Sequence, residues 1–170
     1  ISVEEARERI LANFQRLPVE RKPLLAALGQ VLAADVVSPY DLPPLANTGM
    51  DGYALQAADT AGASEAAPVR LRVITNLAAG YVSDVPIGPG EAARIMTGAP
   101  IPPGADAVVP FEETDEVLRG PNEQPRPGGE VAIFKAAKHG ANVRERGGDV
   151  RAGNRVIEAG RVRRASESGV

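Results

Sequence analysis

The 170-residue chain contains no cysteine, which excludes a disulfide scaffold and a cysteine zinc site and leaves a reducing compartment allowed. Aromatic residues are only 4% and scattered, so no base-stacking platform is visible. The net charge of -3, from 19 basic and 22 acidic residues, lacks the basic excess that nucleic-acid binding wants. The single histidine, His139, lies between Lys138 and Gly140 and reads as a surface residue, not a catalyst. No apolar run approaches the roughly 18 residues of a membrane span. The N-terminus is acidic and amphipathic, unlike a signal peptide, so a soluble cytoplasmic protein is the expectation. Ser-His-Asp, Walker, GxGxxG and zinc-ligand spacings are missing too, so no self-contained catalytic machine is evident.

Turn formers are plentiful instead. Gly 18 and Pro 15, with 44% apolar residues, describe a globular chain of short strands and tight turns. Ser2 and Glu5 form a capping box, and Val3, Ala6, Ile10, Leu11 and Phe14 recur at helical spacing until Leu17-Pro18. That one-sided helix must pack on something. Pro23 to Leu28 reads as a short helix ended by Gly29, and Val31 to Val37 as a strand. The rigid Ser38-Pro39-Tyr40-Asp41-Leu42-Pro43-Pro44 stretch is a candidate domain crossing.

Beyond Asp51 the pattern is strand and turn. Val69, Leu71 and Val73 alternate with Arg70 and Arg72, as in a half-buried strand. Short apolar runs follow at 92–96, 105–109 and 131–134, with a long hairpin tip expected over 120–129. Repeated short strands predict a small closed or nearly closed β-barrel. A last strand pair is expected from Arg155-Val156-Ile157 and Arg161-Val162. The end at 166–170 carries no closing element and reads as a truncation.

Three loops carry unusual chemistry. In Asn47-Thr48-Gly49-Met50-Asp51-Gly52-Tyr53-Ala54, glycines flank Asp51, whose carboxylate could accept amide bonds, bind a metal or orient water; the plain alternative is an Asx-turn that shapes the loop. In the proline-stiffened Met96-Thr97-Gly98-Ala99-Pro100-Ile101-Pro102, the Thr97 hydroxyl and two amides could form an anion nest, or the segment could be a rigid connection. In Asn142-Val143-Arg144-Glu145-Arg146-Gly147-Gly148-Asp149, arginine forks suit phosphate or another oxyanion. Asp149 could there hold a cation or an arginine; the alternative is an exposed hairpin with solvated ion pairs.

Taken together these stretches resemble the N-terminal region of MoeA-type molybdopterin molybdenumtransferases, a region also found in the gephyrin E domain. The resemblance runs from Leu25 to Asp35-Val36, through Asp41-Leu42-Pro43-Pro44 and Met50-Asp51-Gly52-Tyr53-Ala54. It is densest in Gly90-Glu91-Ala92-Ala93-Arg94-Ile95-Met96-Thr97-Gly98-Ala99-Pro100 and 104–109, with Glu112, and ends in Asn142-Val143-Arg144 and Gly147-Gly148-Asp149. It implies a mainly β fold with some α: a small β-barrel-like domain (44–150) inserted in a small mixed α/β domain (18–43 and 151–170). It also implies an N-terminal helix (1–17) that docks on an α/β domain outside this chain.

The family inserts molybdenum from molybdate into adenylyl-molybdopterin, releasing AMP and molybdenum cofactor. A divalent cation, usually Mg2+, takes part. The resemblance further implies a transferase that works as a homodimer, with a MogA-type adenylyltransferase as a partner and no nucleic acid or membrane. The active site would lie in a cleft between this half of one protomer and the pterin-binding domain of the other, leaving the fragment inactive alone. By motif, Asp51, Thr97 and Asp149 are the catalytic candidates, Arg144 and Thr48 the substrate-binding ones, and Asp51 and Asp149 the metal ligands. The chain departs from the pattern at Leu45-Ala46, at Thr48-Gly49 in place of Ser-Ala, and at Gly148 where Glu is common. The alternative function is a gephyrin-like scaffold or protein-interaction module on the same fold.

Overall fold

A computed structural model describes residues 1–120, 123 and 125–169. Of the expected hairpin tip, Pro121, Asn122 and Gln124 fall outside the described residues, as does Val170 of the tail. In chain order the elements are helix α1 (Val3–Leu11) and strands β1 (Val36–Val37), β2 (Asn47–Thr48), β3 (Gly52–Leu55), β4 (Val69–Leu77), β5 (Glu91–Ile95), β6 (Ala107–Pro110), β7 (Glu130–Ile133), β8 (Val143–Arg144) and β9 (Arg155–Ile157). Short 3-10 turns occur at Leu24–Ala27, Ala57–Thr60, Phe111–Glu113, Asp115–Leu118 and Ser166–Ser168. The described chain divides into two compact units, Ser38–Asn154 and the pair of segments Ile1–Val37 and Arg155–Val170. No helix among the described residues is long and apolar enough to cross a membrane.

The larger unit is built on a five-stranded sheet in the order β6-β3-β5-β4-β7. All neighbours are antiparallel except β4 and β5, which run parallel. The predicted alternation of β4 holds: Leu71 and Val73 are buried while Arg70 and Arg72 are exposed. Central β3 does not alternate. Tyr53, Ala54 and Leu55 are all fully buried, because apolar clusters cover both faces of the sheet. Tyr53 and Leu55 pack with Val73, Val109 and Ile133 on one side, and Ala54 with Leu77, Ile95 and Val108 on the other.

The sheet curls into a half barrel. Strands β6 and β7 remain as edges, so of the closed or nearly closed barrel expected the sheet takes an open, half-barrel form. Loop groups satisfy both edges. The Val108 amide donates to Ala141 O (2.9 Å) and Asn142 Nδ2 donates to Val108 O (2.8 Å). On the other side the Ala132 amide donates to Asp115 Oδ1 (2.9 Å) and the Phe134 amide to Glu113 O (2.8 Å). An edge whose backbone groups are paired locally needs no opposite strand to close on.

The smaller unit corrects three expectations. Helix α1 stops at Leu11, short of Leu17. Asn13 Nδ2 donates to Arg9 O (2.7 Å), taking the carbonyl that the next helical amide would need. The strand expected over 31–37 is broken into a single bridge at Val31 and the two-residue β1. The final hairpin does not pair with itself: Val36 pairs with Ile157 and Val31 with Val162, so the early segment lies antiparallel to the late one. Asp35 supports this by accepting bonds from the Ala159 amide (2.7 Å) and Arg155 (3.4 Å).

Candidate functional site

The three loops meet around β2. That strand pairs with β8, placing Asn47 opposite Arg144 and Thr48 opposite Val143. From its other side the Thr48 amide donates to Ala99 O (3.2 Å), and the Gly98 amide donates back to Thr48 O (2.8 Å). Two residues of β2 therefore stitch the second loop to the third.

Asp51 stands just before β3 and reaches across 46 positions to the second loop. Its Oδ1 accepts from both the Thr97 amide and the Thr97 hydroxyl, each at 2.7 Å. The hydroxyl bond, the amide bond and the charge of Arg94 hold the Asp51 carboxyl below the usual aspartate range, in that order and against some desolvation. Asp51 is thus a cross-link between loops and not an Asx-turn. The turn within its own loop is made by Thr48, whose hydroxyl accepts from the Met50 amide (3.1 Å) and donates to Met50 O (3.2 Å).

Two expectations change on this geometry. Thr48 is 1% exposed with its hydroxyl engaged by Met50, so it shapes the loop and offers no surface to a ligand. The anion nest at Thr97 and Gly98 is not formed either, because both amides are spent inside the protein, on Asp51 and on Thr48 O. The Thr97 side chain, beside exposed Met96, is open to solvent and already oriented by a carboxylate.

The third loop divides its arginines. Arg144 Nη2 donates to Asp149 Oδ2 (2.8 Å) in an exposed pair. Arg146 Nε instead donates to Asp41 Oδ2 (2.6 Å), while Asp41 Oδ1 accepts the Ala152 amide (2.9 Å). These bonds, the Ala152 amide foremost, keep the Asp41 carboxyl below its ordinary range. Backbone ties add to the latch: the Gly147 amide donates to Pro43 O (2.9 Å) and the Asp149 amide to Leu42 O (2.9 Å). Gly147 has φ +67, and a Cβ there would come within 3.3 Å of Asp41 Oδ1, so the turn beneath Asp149 suits glycine alone.

Among the candidates, then, Asp51 is joined to Thr97 and Arg144 to Asp149. No group of three or more His, Cys, Asp or Glu among the described residues could hold a metal ion. Asn47 Oδ1, on β2 between the two loops, is a buried acceptor with no partner among the described residues. A shallow pocket of about 230 Å³ that includes Ala46, Asp106, His139 and Glu145 in its lining contains none of the candidate residues and does not coincide with the site.

Sequence reasoning missed Arg94 and Glu116. The signal was present: an arginine inside the apolar run Ala92-Ala93-Arg94-Ile95 cannot be buried without a counter-charge. Arg94 Nε and Nη2 form a fork on Glu116 (2.8 and 2.9 Å), and both side chains are 7% exposed.

Fold and site together define a class: a curled β domain that presents a carboxylate–hydroxyl pair and an arginine–carboxylate pair on neighbouring glycine-bearing loops. The family model for the MoeA N-terminal region (domain I and II) matches residues 1–170. Molybdopterin molybdenumtransferase 2 of Mycobacterium tuberculosis is 42% identical over 163 residues, covering 95% of this chain and 37% of the relative. The molybdopterin molybdenumtransferase of Staphylococcus aureus (strain Mu50) is 36% identical over 162 residues, covering 95% and 36%. A crystal structure of the molybdopterin biosynthesis moeA protein from Pyrococcus horikoshii OT3 superposes with a TM-score of 0.84 at 32% identity, over 98% of this chain and 41% of that one. The chain belongs to the MoeA family, as its N-terminal region, and spans little more than a third of the length of these curated relatives.

Proposed function

We propose that this chain supplies one wall of the active site of a molybdopterin molybdenumtransferase, which moves molybdenum from molybdate into adenylyl-molybdopterin and releases AMP. The other wall would be a pterin-binding domain, contributed by a second protomer of a homodimer, and this chain alone would be inactive. The single observation that carries the reading is the bridge from Asp51 to Thr97, set on loops that β2 ties to Arg144.

Each residue has a job that its surroundings suit. Asp51 stays ionised through its Thr97 bonds, which both fall on Oδ1 and leave Oδ2 for a ligand or an ordered water at the phosphoanhydride. Thr97 fixes the direction of that carboxylate. Arg144 presents an exposed fork to phosphate or molybdate, and Asp149 sets its orientation. Preorganised charge, not covalent chemistry, supplies the acceleration.

A divalent cation fits this arrangement in a limited way. Magnesium is commonly held by one or two carboxylates, with substrate phosphate and water filling its other positions, so a three-carboxylate cage is not required. Asp51 would be its first ligand through Oδ2, and Asp149, whose Oδ2 is held by Arg144, would offer Oδ1. When bound, the cation would offset charge on the phosphoanhydride oxygens.

The test is restoration of molybdoenzyme activity by the protein in which this chain continues into its remaining domains. Asp51→Asn should lower activity by about 10²-fold or more, and Asp149→Asn by less. Unchanged activity in both variants would remove their assigned roles.

A further inference from the structure

We propose that Arg94 is the positioning residue of the Asp51–Thr97 pair, tying the ends of β3 and β5 together from inside the sheet through a guanidinium neutralised by Glu116. The inference rests on the reading of Asp51 and Thr97 as site residues.

Arg94 stands opposite Tyr53 in the ladder of β5 with β3 and is 6% exposed. One nitrogen, Nη1, donates to Ile95 O (2.9 Å) and, more weakly, to Gly52 O (3.5 Å). Gly52 begins β3 and directly follows Asp51; Ile95 ends β5 two residues before Thr97. The same atom therefore touches the backbone beneath both halves of the carboxylate–threonine bridge. The other two nitrogens are occupied by Glu116, which also accepts the Tyr53 hydroxyl. Two aromatic rings flank the guanidinium: its carbon lies 5.5 Å from the Tyr53 ring centre and 5.8 Å from that of Phe111, within cation–π range. Phe111 closes the circuit, since its amide donates to Asp51 O (3.1 Å).

Stability alone does not account for this pair. A buried ion pair can often be replaced by apolar side chains of similar volume at little cost, once a hydrogen bond to it, here from the Tyr53 hydroxyl, is removed with it. What the apolar replacement cannot reproduce is a planar cation that bonds two carbonyls and one carboxylate in fixed directions. Arg94 also adds to the positive field that keeps Asp51 ionised, after the two Thr97 bonds.

The experiment uses the protein in which this chain continues into its remaining domains, with Arg94→Lys and, separately, the apolar pair Arg94→Met and Glu116→Leu in a Tyr53→Phe background, which removes the hydroxyl that Glu116 would otherwise leave unpaired. Hydrogen exchange of the Ala54 amide reports on the sheet, exchange of the Thr97 amide on the bridge, and carbon-detected titration follows the Asp51 carboxyl. Expected is near-normal Ala54 protection, Thr97 exchange faster by about tenfold or more, and a higher Asp51 titration midpoint in the apolar pair. Lysine keeps charge but not the fork, so Arg94→Lys should restore much of the Asp51 midpoint and little of the Thr97 protection. Unchanged Thr97 exchange in either folded variant overturns the proposal. Failure of both variants to fold also overturns it, because the pair would then hold the core and not the loop. These readouts do not depend on catalysis: an Asp51→Asn protein with full activity would sink the functional reading and leave the positioning role standing.

Discussion

The sheet of the larger unit and the helix of the smaller one both carry apolar side chains, yet they end differently. β3 has every side chain from Tyr53 to Leu55 fully buried, while α1 has no buried residue and leaves Val3, Ile10 and Leu11 exposed. The helix has its Ser2 cap, with Ser2 Oγ accepting the Glu5 amide at 3.1 Å, and an Arg9–Glu5 pair at 2.7 Å. Local chemistry is therefore enough to start a helix, but packing is what makes an element costly to remove. In the sheet, stability and site geometry come from the same contacts. In α1, within this chain, apolar side chains contribute almost nothing.

The largest effect that would sharpen this contrast is Arg94→Met alone. It strands the Glu116 carboxylate in the interior and should cost about 3–5 kcal/mol in denaturant unfolding. Next comes a matched pair of truncations. Leu55→Ala should cost about 2–5 kcal/mol and Leu11→Ala no more than about 0.5 kcal/mol; equal losses would break the comparison. Gly52→Ala should follow at about 1–3 kcal/mol, because its Cβ would sit 2.0 Å from Val109 O on the neighbouring strand. The smallest change concerns Asp51. Its carboxyl is depressed when folded, so it adds stability above its unfolded value and loses it as pH falls through the folded one. Thr97→Val removes the hydroxyl bond, which should raise the midpoint seen by carbon NMR and flatten that acid loss. An unmoved midpoint would mean that Thr97 does not hold the carboxylate.

Much of this could be read from residues in order. The period-two run at 69–73 announces a half-buried strand, and it is one. Glycines around Asp51 and prolines after Thr97 mark loops with restricted shapes, and those loops do meet. The partnerships were not legible. Asp51 and Thr97 lie 46 positions apart, Arg94 and Glu116 22 apart, and Asp41 and Arg146 105 apart. No local spacing rule reaches that far. Thr97 illustrates the consequence: its two-amide turn looks like an anion cradle in isolation, and tertiary contacts consume both amides.

The order of residues by itself determined the mainly β character, the positions of the turns, and which carboxylates, hydroxyls and arginines were available for chemistry. Those follow from backbone sterics and side-chain type, which act within a few residues. Tertiary structure alone decided that the sheet stops at a half barrel, that β3 is covered on both faces, and that Thr48 turns inward while Asp51 bridges to Thr97. Each of those outcomes depends on which distant backbone group or counter-charge takes up a partner first, and a buried polar group must find one.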